Sequence, residues 1–420
     1  MRKHNGKQLY GIEKIITTLK MGLHRELKKL SIRQKLALNY VSKENKLTLL
    51  NGKIYTNTFT PFYPSLAYDR FLKGVVSLAK GKPRPIVTNF AITPKCPCNC
   101  WHCSFSHRSK NDILSLEKLK EAISQVQDLG ASVIGLTGGE PLLRDDLEEI
   151  IASIDKRSMP IFFTTGYKLT KERVRSLKQA GLKIPVISLD HYTAEIHDKG
   201  RRKEGIFDHA LNAIRLFQDE GFYVAVSFVP DKPLVSDQKE IFKVIEFFKD
   251  IGINDMRLTS PILSGKLTCR PEEKLSQKNI DTIFKIQKMC TRTKGYPNVF
   301  AYDFFESKKY YGCGAGFNYM FIDSQGNVCP CDFTMLSFGN ILEKSIKEIW
   351  KETSSHFCAP GEKCYANISN DVIFAKKKTE WPLRKEATLE ILEQCPSYNL
   401  QRLPEFYRRI GFPGGKIKKL

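Results

Sequence analysis

Ile86-Val87-Thr88-Asn89-Phe90-Ala91-Ile92, followed three residues later by Cys96-Pro97-Cys98-Asn99-Cys100-Trp101-His102-Cys103, governs the reading of the whole chain. The first run is apolar without strict alternation, the pattern of a strand buried on both faces. The second sets four thiols within eight residues just past that strand's C-terminal end. Moving outward, similar runs recur at Val133–Thr137, Pro160–Thr165, Val186–Asp190, Tyr223–Val229 and Met256–Thr259. Helical patterns alternate with them near 115–129, 145–155, 169–180, 204–220, 236–250 and 276–290. Six strand-helix pairs predict an α/β core over 86–300, a parallel sheet forming a complete or partial barrel. In such folds chemistry collects at the C-terminal strand ends, where the cysteines lie.

Hydrophobic residues at 41% and aromatics at 11% are those of a packed globule and exclude wholesale disorder. Lys and Arg number 67 against 45 Asp and Glu, a net charge of +22. Residues 1–85 hold 18 basic and 4 acidic side chains and residues 401–420 hold 6 and 1, which leaves the core between them nearly balanced. The excess belongs to the two ends. Leu9, Ile12, Ile16, Leu19, Leu23, Leu27 and Leu30 recur every three or four residues among lysines, which predicts an amphipathic helix of about 22 residues. Leu47–Leu50 and Lys53–Thr56 around Asn51-Gly52 predict a hairpin with a tight primed turn. The basic helix either packs on the core with its cations in water or contacts an anionic membrane surface or acidic substrate. No apolar run approaches the ~18 residues of a membrane span, and no leader pattern opens the chain. A cytoplasmic protein is expected, with its twelve cysteines as metal-binding or catalytic sulfur rather than disulfides.

Four thiolates suit tetrahedral zinc, but zinc ribbons use two separated pairs, whereas these crowd one loop. Cys96, Cys100 and Cys103 form a CxxxCxxC triplet, three ligands for a 4Fe-4S cluster with one iron left open to a small chelating molecule. Cys98 stands outside that spacing. Here the chain resembles the radical S-adenosylmethionine (radical SAM) enzymes, whose signature is this triplet in the loop after the first strand of a partial (β/α)6 TIM-type barrel. The resemblance implies that His102, beside the third cysteine, touches the adenine. Thr137-Gly138-Gly139-Glu140-Pro141 is similar to the family's GGEP segment, which implies that Gly138, Gly139 and Glu140 meet the methionine amino group of SAM. Thr164-Thr165-Gly166 resembles the family's TNG-type turn. By position, Ser188 and Asp190 match groups near the ribose, and Arg201 or Arg202 a group near the SAM carboxylate.

A second constellation is Cys313, twelve residues, Gly326, four residues, Cys331. It resembles the opening of the SPASM and twitch extensions, which add an auxiliary cluster to many radical SAM enzymes. Phe338-Gly339-Asn340-Ile341 leading to Trp350 resembles the helix that follows there. Downstream the match weakens to Cys358, five residues, Cys364 and then Cys395. Cys313, Cys331, Cys358 and Cys364 are the economical ligand set for one auxiliary 4Fe-4S cluster, with Cys329 and Cys395 spare. The expected division is a basic extension over 1–85, the barrel over 86–300, a SPASM/twitch-like domain over 301–400 and a basic tail over 401–420.

The resemblance implies reductive cleavage of SAM at the first cluster to a 5′-deoxyadenosyl radical, which abstracts hydrogen from substrate. It also implies an electron donor such as flavodoxin or ferredoxin. A peptide, in the manner of maturases, or a bulky amphipathic molecule is the expected substrate; a lipid, a cofactor precursor or RNA is the alternative. Nucleic acid is disfavoured by the balanced core and the lack of an aromatic-interleaved RNA module. A non-enzymatic rival is a zinc-stabilised binding protein.

Overall fold

Continuous burial along the strand segments, with cores such as Phe90, Ile134, Phe162 and Val226 fully enclosed, makes one large sheet the organising layer. The computed structural model of the chain describes residues 6–106, 108, 111, 114–375 and 381–413. An N-terminal layer comes first: β1 (Lys7–Leu9), α1 (Gly11–Gly22), a short 3₁₀ turn at Arg25–Lys29, α2 (Ile32–Ser42), β2 (Leu47–Leu50), β3 (Lys53–Tyr55) and α3 (Leu66–Ala79). The barrel strands are β4 (Val87–Thr93), β5 (Val133–Gly138), β6 (Met159–Thr164), β7 (Ile184–Ser188), β8 (Ala225–Phe228), β9 (Asp255–Leu258) and β10 (Asn298–Ala301). Two strands follow, β11 (Tyr319–Ile322) and β12 (Val328–Cys329).

The order is β10-β9-β8-β7-β6-β5-β4-β11-β12, parallel from β10 to β11 and antiparallel at β12. Helices cross between consecutive strands, as right-handed βα units require. Their starts carry the oxygen caps the sequence offers: Ser115, Thr170, Asp237 and Ser276 each accept from a backbone N–H in the first turn. The fold is the expected α/β partial barrel with a C-terminal extension, and it differs in two ways. β10 adds a strand beyond the six expected, and β11, paired antiparallel with β12, also joins β4 in parallel and extends the barrel sheet.

The β2–β3 turn follows expectation, with Asn51 at φ 50° and Gly52 at φ 72°. β3 and the residues after it pack against Tyr223, just before β8, and against the N-terminal ends of β9 and β10. Tyr55 stacks on Tyr223 at 4.6 Å, Thr58 N–H donates to Asp255 Oδ2 at 3.0 Å, and Asn298 Nδ2 donates to the Thr56 carbonyl at 2.9 Å. The expected 22-residue helix is instead two pieces. Leu9 pairs with Leu47 in the small sheet, α1 stops at Gly22, and Leu27 and Leu30 turn inward from the 3₁₀ segment. Of the basic tail, Glu405–Ile410 is a helix held to α2 by Arg33, which donates to the carbonyls of Arg408 and Arg409; residues 414–420 lie outside the described residues.

Candidate functional site

β4 delivers Cys96, Cys98, Cys100 and Cys103 to the C-terminal end of the barrel, and backbone contacts from three sides fix their loop. Asn99 N–H donates to the Arg201 carbonyl at 3.0 Å and Trp101 N–H to the Gly200 carbonyl at 3.1 Å. Gly139 N–H donates to the Thr93 carbonyl and Glu140 N–H to the Lys95 carbonyl, both at 2.7 Å. A Cβ on Gly138 would sit 2.3 Å from the Thr93 oxygen, and one on Gly139 2.1 Å from the Lys95 oxygen. The two glycines therefore let the end of β5 press against the approach to the cysteine loop. From the third side, Lys266 N–H donates to the Cys103 carbonyl at 3.0 Å, and Lys266 Nζ donates to the Asn99 carbonyl at 2.7 Å. Gly265 and Lys266 escaped the sequence reading because their partners lie some 160 residues away along the chain.

Glu140 is fully buried. Its carboxylate accepts from Thr164 Oγ1 at 2.6 Å, Thr165 N–H at 2.7 Å, Thr165 Oγ1 at 2.6 Å and Leu142 N–H at 3.1 Å, tying the end of β5 to the end of β6. Burial pushes its pKa up while the Thr164 and Thr165 hydroxyls oppose the rise. Glu140→Ala strands these donors, so unfolding free energy is expected to fall by about 3 kcal/mol in a denaturant titration. A change under ~0.5 kcal/mol would show that this tie adds nothing to stability.

Ser188 ends β7, and Asp190 follows in the loop. Asp190 Oδ1 accepts from Val229 N–H at 3.0 Å; Oδ2 pairs with Arg201 Nη2 at 2.6 Å and lies 3.6 Å from His102 Nε2. Burial would raise its pKa, but the Arg201 guanidinium and His102 hold it well below the usual carboxylate range. Arg201 is itself buried and turns its other arm to Cys100, Nη1 to Sγ 3.6 Å. Asp190, Arg201 and Cys100 thus form a chain, with His102 beside it. Arg202 is left-handed and exposed, so of the two arginines Arg201 is the one at the cysteine loop.

Among the described residues no three His, Cys, Asp or Glu side chains close around a single ion. The loop's donor chemistry fits an iron-sulfur cluster. A hydrogen bond from Cys98, then the charges of Arg201 and His102, draw Cys100 toward thiolate against its burial, and thiolates are what iron binds. Cys98, hydrogen-bonded to both Cys100 and Cys96, is pushed toward the neutral thiol. His102 Nε2 and Arg201 Nε are buried without a hydrogen-bond partner among the described residues.

The second cysteine set is built where β11 joins β4. A bridge between Cys313 and Gly361 draws the Cys364 loop toward Cys313, and Cys331 follows β12. Cys313, Cys331 and Cys364 feel one another electrostatically and share a cavity wall. Burial pushes Cys313 up to about 12 and raises Cys331 and Cys364 well above the usual thiol range. Cys358, at the end of the helix Ile346–His356, is placed against Tyr398 and not with the other three. Of the spare thiols, Cys329 is buried against Arg108, whose Nη1 also pairs with Asp323 at 2.9 Å, and Cys395 faces the Ile368 carbonyl. Glu306, a carboxyl the sequence reading overlooked, faces Cys313 and Cys364; burial and then Asp303 push it up to about 8.

These three thiols line a cavity of about 690 Å³ with otherwise mainly apolar walls, including Phe300, Tyr302, Phe305 and Tyr311. It extends to α1 and α2, reaching Ile15, Leu19 and Leu38. Tyr319 and Asp332 on its wall connect to the barrel interior: Asn89 Nδ2 donates to Asp332 Oδ2 at 3.0 Å and to the Tyr319 hydroxyl. Nearby, the Arg257 guanidinium lies 4.2 Å from the Phe59 ring centre and 4.7 Å from that of Phe163.

Comparison with known proteins matches residues 90–232 to the radical SAM superfamily and residues 313–371 to the SPASM iron-sulfur cluster-binding domain. The AdoMet-dependent heme synthase of Methanosarcina barkeri is 27% identical over 292 residues, 64% of this chain and 82% of that protein. The antilisterial bacteriocin subtilosin biosynthesis protein AlbA of Bacillus subtilis is 26% identical over 281 residues, 65% of this chain and 61% of that protein. Among solved structures, Streptococcus suis SuiB bound to precursor peptide SuiA shares the fold, with a TM-score of 0.57 and 17% identity over 74% of this chain and 77% of that one. With both cysteine sets inside these matched segments, the chain is a radical SAM enzyme that carries a SPASM auxiliary iron-sulfur domain.

Proposed function

We propose that this enzyme abstracts hydrogen from a bulky amphipathic molecule whose apolar part occupies the cavity beside Cys313, Cys331 and Cys364. The carrying observation is the cavity itself. Its volume of about 690 Å³ is that of a site for a sizeable small molecule, and its apolar wall ends at the auxiliary thiols and the carboxyls of Glu306 and Asp332. When bound at Cys96, Cys100 and Cys103, the cluster and SAM supply a carbon radical competent to take hydrogen from an unactivated C–H bond.

The chain's own residues orient the site. Asp190 pins Arg201, and Arg201 presents a fixed positive charge to the Cys100 sulfur. Glu140 locks the ends of β5 and β6, while Gly138 and Gly139 admit the Thr93–Lys95 backbone that leads into the ligand loop. The heme synthase relative bears the name of a large macrocyclic product, which agrees with a bulky ligand.

A second reading, a ribosomal peptide substrate, is favoured by the similarity to the subtilosin biosynthesis protein. The two separate by isotope transfer. Reconstituted protein, SAM and dithionite are incubated with perdeuterated phospholipid and isoprenoid dispersed in detergent, or with a deuterated peptide library. Deuterium in 5′-deoxyadenosine from the amphiphiles supports the first reading. Transfer from peptides alone replaces it with the second.

A further inference from the structure

α1 is an amphipathic helix whose apolar stripe is left exposed among the described residues. It contains no buried residue. Ile12 is 74% exposed, Ile16 47%, Leu19 61%, and Leu23 just past its end 73%. These positions follow the 4-3-4 spacing of a single helical face. α2 continues the apolar surface with Ile32 at 77% and Leu36 at 65%. A lone surface leucine needs no explanation, but six large apolar side chains on two successive helices mark an interaction surface.

Charge identifies what covers it. Exposed Lys20, Arg25, Lys28, Lys29 and Lys35 accompany the stripe, within a segment of 18 basic and 4 acidic residues over 1–85. An apolar stripe bordered by cations is the composition of a helix that lies in the interface of an anionic bilayer. Among the described residues no helix is long and apolar enough to cross a membrane, so contact through this face would be interfacial.

The cavity supplies an independent observation. Ile15 and Leu19 are each more than half exposed and yet stand on the wall of the 690 Å³ cavity, with Lys35, Asn39 and Lys43 of the α2 segment also on its wall. The mouth therefore opens on the same α1–α2 surface as the stripe. The cavity that reaches that surface also reaches Cys313, Cys331 and Cys364.

We infer that α1 and α2 dock on an anionic lipid bilayer and that the cavity takes the hydrocarbon portion of a lipid drawn directly from it. The substrate half of this inference rests on the cavity being the substrate site; the docking half does not.

Co-sedimentation of the full chain with phosphatidylglycerol/phosphatidylcholine vesicles tests docking without cluster or SAM. Binding is expected on the anionic vesicles, weaker by about tenfold or more on phosphatidylcholine alone, and reduced by raising salt from ~0.1 to ~0.5 M. The triple variant Ile12→Glu/Ile16→Glu/Leu23→Glu should lose binding by a similar factor, and these exposed positions are compatible with Glu in the folded state. As a second measurement, Ile16→Trp should show a blue shift of its emission on adding anionic vesicles. Equal sedimentation of wild type and triple variant, or no wild-type binding, overturns docking. So does a wild-type dimer in sedimentation velocity that the triple variant converts to monomer, because the face would then be a self-interface. Vesicle binding without deuterium transfer from lipid would overturn the lipid substrate and leave docking standing. Transfer from detergent-dispersed lipid without vesicle binding would do the reverse.

Discussion

Cys100→Ala is expected to reduce 5′-deoxyadenosine release from SAM to background and to remove one cluster's worth of iron while the auxiliary iron stays. The expectation rests on position as well as on the triplet. Cys100 is buried, receives a hydrogen bond from Cys98, and faces Arg201 at 3.6 Å, so it is the thiol in the loop most disposed to the anionic form that iron requires. Alanine removes the sulfur but leaves the Arg201–Asp190 pair and the loop's backbone bonds to Arg201, Gly200 and Lys266. The fold should therefore survive, with an unchanged far-ultraviolet circular dichroism spectrum. Cys98→Ala is the control, since Cys98 is pushed toward the neutral thiol by the neighbours it bonds. It should keep its iron and its SAM cleavage within a few-fold. Cleavage by Cys100→Ala at the wild-type rate, or loss in Cys98→Ala equal to that in Cys100→Ala, would reassign the ligands.

Much of this architecture is legible in the sequence where its causes are local. Strands such as Ile161–Phe162 and Val186–Ile187 declare themselves as unbroken apolar runs, and Asn51-Gly52 announces a turn that needs positive φ twice. The cysteine loop is legible because its ligands are contiguous. What escapes is non-local. Nothing within Tyr319–Ile322 says that it will pair with Val87–Phe90, more than 200 residues earlier, and that pairing seats the auxiliary thiols beside the barrel. The 3-4 spacing from Leu9 to Leu30 is real but misleading as a single helix. Its first member pairs in a sheet, its middle faces outward on α1, and Leu27 and Leu30 fold inward. Periodicity reports a helical repeat without reporting which side of it meets the core. Residue roles are legible only in part: nothing local in the sequence shows that Glu140 ties Thr164, Thr165 and Leu142 together at the ends of β5 and β6.

The auxiliary ligand set gives the other large effect, a contrast between two cysteines that spacing treats alike. Cys331 shares a cavity wall with Cys313 and Cys364, so Cys331→Ala should lose the auxiliary iron and all product while SAM cleavage continues uncoupled. Cys358 is set against Tyr398 at the end of its helix, where it contributes no sulfur to that wall. Cys358→Ala should accordingly retain its auxiliary iron and its product. Burial holds these three thiols toward the neutral form, so a bound metal, which brings its own positive charge, is expected to stabilise the pocket. Chelator-stripped protein should therefore show a lower melting temperature than reconstituted protein, and Cys331→Ala should abolish that difference whereas Cys358→Ala preserves it. Iron loss in Cys358→Ala equal to that in Cys331→Ala would restore the four-cysteine set and require the 357–364 loop to move when the cluster binds. Retained iron would leave the cluster's fourth ligand to a group other than Cys358.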